Sequence, residues 1–198
     1  MTSPNTSTTR WWWVRHAPVR DLPADGIAVW DAPADLARLR HIRLPAGARW
    51  LSSPQPRALA TARALAPGSV PIGLEARFAE QDFGDWAGRT HGELWQSGDG
   101  GYREFWRDPV AGRPPGGESV LDHVARLRAA LAEYGGAGDI VAVAHAGTIR
   151  AALMLALDLE PLAGLRFALG PGRLTRIDRV AGSWRVVMVN GGDWDDDA

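Results

Sequence analysis

Two histidines in this sequence stand at the ends of apolar runs. Arg10-Trp11-Trp12-Trp13-Val14 leads into Arg15-His16, and Ile140-Val141-Ala142-Val143-Ala144 leads into His145. Apolar runs without alternation predict strands buried on both faces. Ligands of open α/β sheets bind beyond the carboxyl ends of strands, so both imidazoles would arrive where a site forms. Arg15 adds charge there. Arg57 adds more, at the start of a helix just after another strand, where free amides and the helix dipole favour an anion. Two imidazoles with two or three guanidiniums describe a pocket for a tetrahedral dianion, because Arg forks match its oxygens. The plainer alternative is a pair of strands that stop at solvated polar residues. Paired His also suits a metal. However, no H-E-x-x-H spacing occurs and the flanking Arg would repel a cation, so neither metal nor cofactor is expected.

Composition narrows the chemistry further. There is no Cys, which excludes disulfides, thiolate metal sites and a Cys nucleophile. There is no Lys among the 22 basic residues, which excludes a Walker-A loop and Schiff-base chemistry. The net charge of −1 argues against a nucleic-acid or anionic-membrane binder. That balance combines an acidic tail at 193–198 with a mildly basic body. No apolar run approaches the ~20 residues that span a bilayer. Residues 1–9 read as a disordered leader without an apolar signal region. A cytoplasmic protein is the expectation, with one domain over residues 10–192.

The elements that must position these residues alternate. Val19 to Ala34 reads as a loop, and Asp35 caps a short amphipathic segment, Leu36 to Ile42, with His41 on the surface. Arg49 to Ser53 reads as a strand. Pro54-Gln55-Pro56 opens an Ala-rich helix, Arg57 to Ala66. Val70 to Leu74 is an edge strand, since Pro and Gly weaken a central one. Phe78 to Gly101 is loop-like with one helical turn near Glu93-Leu94-Trp95, followed by a short helix, Tyr102 to Trp106, and a Pro/Gly-rich loop to Gly117. Trp30, Trp86, Trp95 and Trp106 fall in or near these loops, as exposed rings or pocket walls. Ser119 to Tyr134 shows helical spacing, with His123 structural or solvated within it. Thr148 to Leu157 is a helix. Leu174 to Val180 and Trp184 to Val189 alternate as a hairpin. The expected fold is α/β in three layers, α/β/α, with a mainly parallel central sheet and an antiparallel C-terminal edge hairpin.

Five blocks, in order, resemble the histidine phosphatase (phosphoglycerate-mutase-like) superfamily. They are Arg15-His16-Ala17; Ser53-Pro54 with Arg57-Ala58 and Thr61-Ala62; Glu80-Gln81-Asp82-Phe83-Gly84-Asp85-Trp86-Ala87-Gly88; Pro115 to Ser119; and His145-Ala146-Gly147-Thr148-Ile149-Arg150. The resemblance implies a phosphohistidine mechanism. His16 would be the nucleophile, Arg15, Arg57 and His145 would hold phosphoryl oxygens, and Glu80 would serve as acid and base. Asp82 and Asp85 are lesser candidates for that last role, and a solvated loop carboxylate is the plainer reading of Glu80. Neighbouring positive charge would keep His16 neutral near pH 7.

The implied activity is metal-independent hydrolysis of a small phosphomonoester. The Asp82-Phe83-Gly84-Asp85-Trp86 and Pro-Gly-Gly-Glu-Ser blocks look most like the α-ribazole phosphatase branch, so α-ribazole 5′-phosphate is one candidate substrate. A phosphoglycerate mutase and a non-catalytic phosphate-binding module are the alternatives. The expected partner is a small phosphorylated metabolite, with no nucleic acid and no membrane, and a homodimer is left open. Four residues depart from the family pattern. Ala17 and Ala146 replace Gly and require backbones that avoid positive φ. Val19 and Leu22 stand where the family often has Thr and Asn, which removes side-chain phosphate contacts.

Overall fold

A six-stranded sheet in the order β3-β2-β4-β1-β5-β6 organises the chain. The computed structural model describes residues 7–98 and 100–192, so the acidic tail lies outside the described residues. In chain order the elements are β1 (Thr8–Arg15), β2 (Arg49–Ser52), α1 (Pro56–Leu65), β3 (Ile72–Leu74), α2 (His91–Gln96), α3 (Gly100–Phe105), α4 (Val120–Glu133), β4 (Gly138–Ala144), α5 (Ala146–Leu157), α6 (Pro161–Gly164), β5 (Leu174–Val180) and β6 (Ser183–Gly191). β3, β2, β4 and β1 are parallel, while β5 and β6 close one edge antiparallel. This is the α/β fold expected, with its antiparallel edge. β1 begins at Thr8, two residues inside the stretch read as leader.

One face of the sheet packs on α4 and α5 through Trp11, Trp13, Phe78, Leu127, Ile149 and Leu153. The other packs on α1 through Val14, Trp50, Ala58, Ala62, Val141 and Val143. β1 is therefore not buried equally on both faces. Trp11 and Trp13 are buried and stacked, with centroids 5.2 Å apart, whereas Trp12 is half-buried. A single Ala-rich helix makes a thinner layer on the Trp12 side. There the Arg176 guanidinium covers the ring at 4.6 Å from its centroid, a cation–π contact, and Trp12 Nε1 donates to Asp139 at 2.8 Å.

Local signals account for most helix ends. Ser119 and Asp122 form a reciprocal capping box on α4, and Pro56 occupies the first turn of α1. The amphipathic segment after Asp35 shrinks to one 3-10 turn, Leu36–Arg38, with Ile42 drawn into the core beyond it. α5 starts at Ala146, directly after His145, rather than at Thr148. Ala181 and Gly182 both take positive φ, as a two-residue hairpin turn requires.

The region between β3 and α4 builds a small core of Trp86, Leu94, Tyr102 and Phe105, which Ile27 joins from the β1–β2 connection. Trp86 is thus buried at 2% exposure, unlike Trp30, Trp95 and Trp106, because α2 and α3 fold over its indole. No helix among the described residues is long and apolar enough to cross a membrane.

Candidate active site

The sheet register brings the two histidines together. Arg15 pairs with Ala144 across β1 and β4, and the His16 amide donates to the Ala144 carbonyl at 2.9 Å. Each strand then releases a histidine at the same edge, and the two rings sit 5.0 Å apart between centroids. β2 flanks β4 on the other side and ends beside them. Ser53 Oγ lies 2.8 Å from His145 Nε2.

Hydrogen bonds assign the tautomers. His16 Nδ1 is 2.6 Å from the Ala17 carbonyl, which can only accept, so Nδ1 carries the proton and Nε2 keeps its lone pair. Burial first, and then the positive charge of Arg57, drive the His16 pKa down to about 3. Arg15 adds to this, while the Ala17 carbonyl opposes it. The imidazole is neutral across the physiological range, with the Nε2 lone pair unprotonated. For His145, Ser53 Oγ accepts from the Gln55 amide at 3.3 Å and has its own proton free to donate to Nε2. Nδ1–H is the resulting tautomer. Burial holds the His145 pKa well below the usual imidazole value, reinforced by His16, Arg57, His123 and Arg15.

Arg57 sits in the first turn of α1, and its Nη1 donates to the carbonyls of Val29 at 2.9 Å and Trp30 at 3.2 Å. Arg15 Nη1 is held by the Leu169 carbonyl. Among the described residues five buried side-chain nitrogens have no hydrogen-bond partner: the indole nitrogens of Trp11 and Trp86 in the aromatic cores, and Arg15 Nε, Arg57 Nε and His145 Nδ1. Buried donors are rarely left unpaired, and the last three belong to residues that surround His16. An oxyanion seated beside His16 would meet the guanidiniums of Arg15 and Arg57, which line the same cavity.

Arg15, His16, Arg57 and Glu80 line one cavity of about 890 Å³. His145 is wholly buried behind His16, and its neighbours Ala146 and Arg150 reach the wall in its place. Glu80 is no solvated loop carboxylate. Its Oε1 accepts from the amides of Gly147 at 2.9 Å and Gln81 at 3.1 Å, at the N-terminus of α5. Oε2 makes no hydrogen bond among the described residues, so a proton on this carboxyl would sit there. Asp82 instead accepts from the Gly84 amide at 2.8 Å, turning its own loop.

No local sequence pattern marks the scaffold of Glu80. Gln55 Oε1 accepts from the Glu80 amide at 2.8 Å. The Arg126 guanidinium on α4 donates to the carbonyls of Arg77, Ala79 and Glu80 while pairing with Glu118 at 2.7 Å. Glu118 belongs to the Pro-Gly-Gly-Glu-Ser block, and through it the block reaches Arg126 and also the Asp82 amide at 3.1 Å. Gly147 is the other hidden requirement, since a Cβ there would stand 2.3 Å from Glu80 Oε1. His123 is structural. It is buried, with Nε2 donating to Thr148 Oγ1 at 3.2 Å, while that hydroxyl donates to the carbonyls of Phe78 and Ala79. Thr61 ties α1 to the His16 loop, accepting from the Ala17 amide at 2.9 Å and donating to the Arg57 carbonyl at 2.7 Å. Neither Ala17 nor Ala146 has positive φ, so both departures from Gly are free of strain.

A sequence model of the histidine phosphatase superfamily (branch 1) matches residues 21–191. The chain belongs to the histidine phosphatase superfamily. The match begins downstream of Arg15 and His16, whose place rests on the register of β1 and β4. A glucosyl-3-phosphoglycerate phosphatase from Mycolicibacterium vanbaalenii is 37% identical over 64% of this chain and 65% of its own length. One of the same name from Mycobacterium tuberculosis is 38% identical over 46% of this chain and 45% of its own. The chain therefore spans less than two thirds of the curated relatives it matches. Among solved structures, the alpha-ribazole phosphatase from Shigella flexneri superposes with a TM-score of 0.80 at 25% identity, covering 92% of this chain and 96% of that one. A mycobacterial glucosyl-3-phosphoglycerate phosphatase gives a TM-score of 0.78 at 25% identity, covering 93% of this chain and 100% of that one.

In this histidine phosphatase superfamily member the buried imidazoles make stability pH-dependent. His16, His123 and His145 all have depressed folded-state pKa values. Below about pH 6.5 the unfolded chain takes up protons that the folded chain refuses, so stability falls with acidification. Each imidazole contributes a slope of about 1.4 kcal/mol per pH unit between pH 6.5 and its folded pKa. Urea unfolding is expected to show a falling midpoint from pH 7 to 4.5, with a shallower fall in inorganic phosphate, which favours the protonated histidine beside it. A flat midpoint over that range would contradict the neutral assignment.

Proposed function

We propose that this chain hydrolyses small phosphomonoesters without a metal, through a phosphohistidine on His16. The cavity that gathers an unprotonated His16 with Arg15, Arg57 and Glu80, with His145 packed against His16, carries this reading. In the first step the Nε2 lone pair attacks phosphorus in line and the bond to the ester oxygen breaks. Glu80 passes its proton to that oxygen. Arg15, Arg57 and His145 stabilise the equatorial oxygens. In the second step Glu80 takes a proton from water, water oxygen bonds to phosphorus, and the P–N bond breaks to release phosphate.

For the substrate, α-ribazole 5′-phosphate is supported by the Asp82-to-Trp86 and Pro-Gly-Gly-Glu-Ser blocks and by the half-exposed Trp30 ring on the cavity wall. Glucosyl-3-phosphoglycerate is the second reading, favoured by the mycobacterial relatives. Phosphate release from both, from phenyl phosphate and from 3-phosphoglycerate, measured in EDTA, tests the proposal. Release from at least one supports it. No release, or bisphosphoglycerate-dependent isomerisation of 3-phosphoglycerate in its place, would refute it.

Gly147→Ala separates the acid from the fold. The main clash, at 2.3 Å, falls on the far end of the Glu80 side chain and a lesser approach of 3.1 Å on the buried His123 ring, so the melting temperature should fall only modestly. The displaced carboxyl should lower kcat on alkyl phosphates by about 10²-fold, the lower range for a general acid. Unchanged kcat would remove Glu80 from the chemistry.

A further inference from the structure

A second cavity, of about 740 Å³, adjoins the first across a wall common to both that includes Arg15, His16, Val19 and Leu22. Its charged lining is Arg15, Arg38 and Arg173, with Arg40 also on the wall but engaged in a contact of its own, and none of the described aspartates or glutamates reaches it. The first cavity differs, since Glu80, Asp82 and Glu118 offset its arginines. Arg38 ends the 3-10 turn after Asp35. Arg173 directly precedes β5, and its carbonyl accepts from the Arg15 amide at 3.1 Å. The second basic cluster is thus anchored to the same strand end that carries His16.

Arg15, Arg38 and Arg173 bring like charges around one volume, and an anion relieves their repulsion. Guanidiniums bind phosphate and carboxylate oxygens through paired N–H groups. We propose that this cavity is a second anion site, taking a phosphate or carboxylate group beside the phosphoryl site. The anion comes either from the far end of the substrate or from a separate small molecule. Val19 and Leu22 fit this arrangement. They give the shared wall apolar side chains, so the two anion sites stay distinct rather than merging into one polar basin.

The proposal takes the role of the first site from the reading above, and its binding test stands without turnover. Calorimetric titration of the whole chain with inorganic phosphate should show two sites. Arg57→Ala should abolish one and Arg38→Ala/Arg173→Ala the other. A single site in the unaltered chain, or two sites surviving in the double variant, overturns the proposal. If the double variant does not fold, Arg38→Gln on an exposed side chain should weaken the second site by about tenfold, the loss of one charge-assisted hydrogen bond. Steady-state kinetics then separate the two sources. A KM raised about tenfold for 3-phosphoglycerate but not for phenyl phosphate places the anion on the substrate. Equal KM changes for both place it on a separate molecule. If no phosphomonoester is turned over, the functional reading fails while the two-site titration still decides this one.

Discussion

Replacing His16 with alanine is expected to lower phosphate release from an aryl phosphate by at least about 10⁴-fold, the scale on which losing a covalent nucleophile is felt. A good leaving group does not rescue this variant, because the missing step is formation of the P–N bond rather than departure of the ester oxygen. Phosphate transferred to the protein and trapped by rapid denaturation should be present in the unaltered chain and absent in the variant. The fold should tolerate the change. His16 Nδ1 bonds only to the neighbouring Ala17 carbonyl, and alanine removes one of the buried imidazoles that oppose folding in acid. Near-normal turnover in a folded His16→Ala chain would refute the nucleophile assignment.

Glu80→Gln should divide substrates by leaving group. Glutamine keeps the shape and can still accept from the Gly147 and Gln81 amides, but it has no proton to deliver. For an alkyl phosphate, whose oxygen must be protonated as it leaves, kcat should fall by about 10³-fold, within the range for general acid catalysis. For 4-nitrophenyl phosphate, whose leaving group is stable as an anion, the first step should be much less affected. The phosphohistidine should then accumulate as a burst, since activation of water is also impaired. A uniform loss on both substrates would point to a positioning role. A loss confined to KM would mean that the carboxyl only shapes the cavity.

These two residues differ in how far the sequence exposed them. His16 and His145 were visible because an apolar run that ends in a histidine locates the end of a buried strand, and parallel strands end on the same side. Arg57 was visible as a helix-start arginine after a strand. Glu80 was visible only through family resemblance. By its local sequence it is a loop carboxylate, and the groups that hold it arrive from Gln55, Arg126 and Gly147. The unequal burial of β1 escaped for the same reason. Trp11, Trp12 and Trp13 are identical in type, and only the thickness of the layer on each face distinguishes them.

The sequence by itself determined the alternation of strands and helices, the order of the motifs and the residue types available for chemistry. These depend on periodicity and on local preferences such as the Ser119 cap and the Pro56 helix start, which act within a few residues. Tertiary structure decided which of those residues form a site. The depressed imidazole pKa values, the gathering of Arg15, Arg57 and His145 about His16 and the arginine-lined second cavity arise from desolvation and from contacts between segments far apart in sequence. Both effects depend on what surrounds a side chain in space, which its neighbours along the chain do not specify.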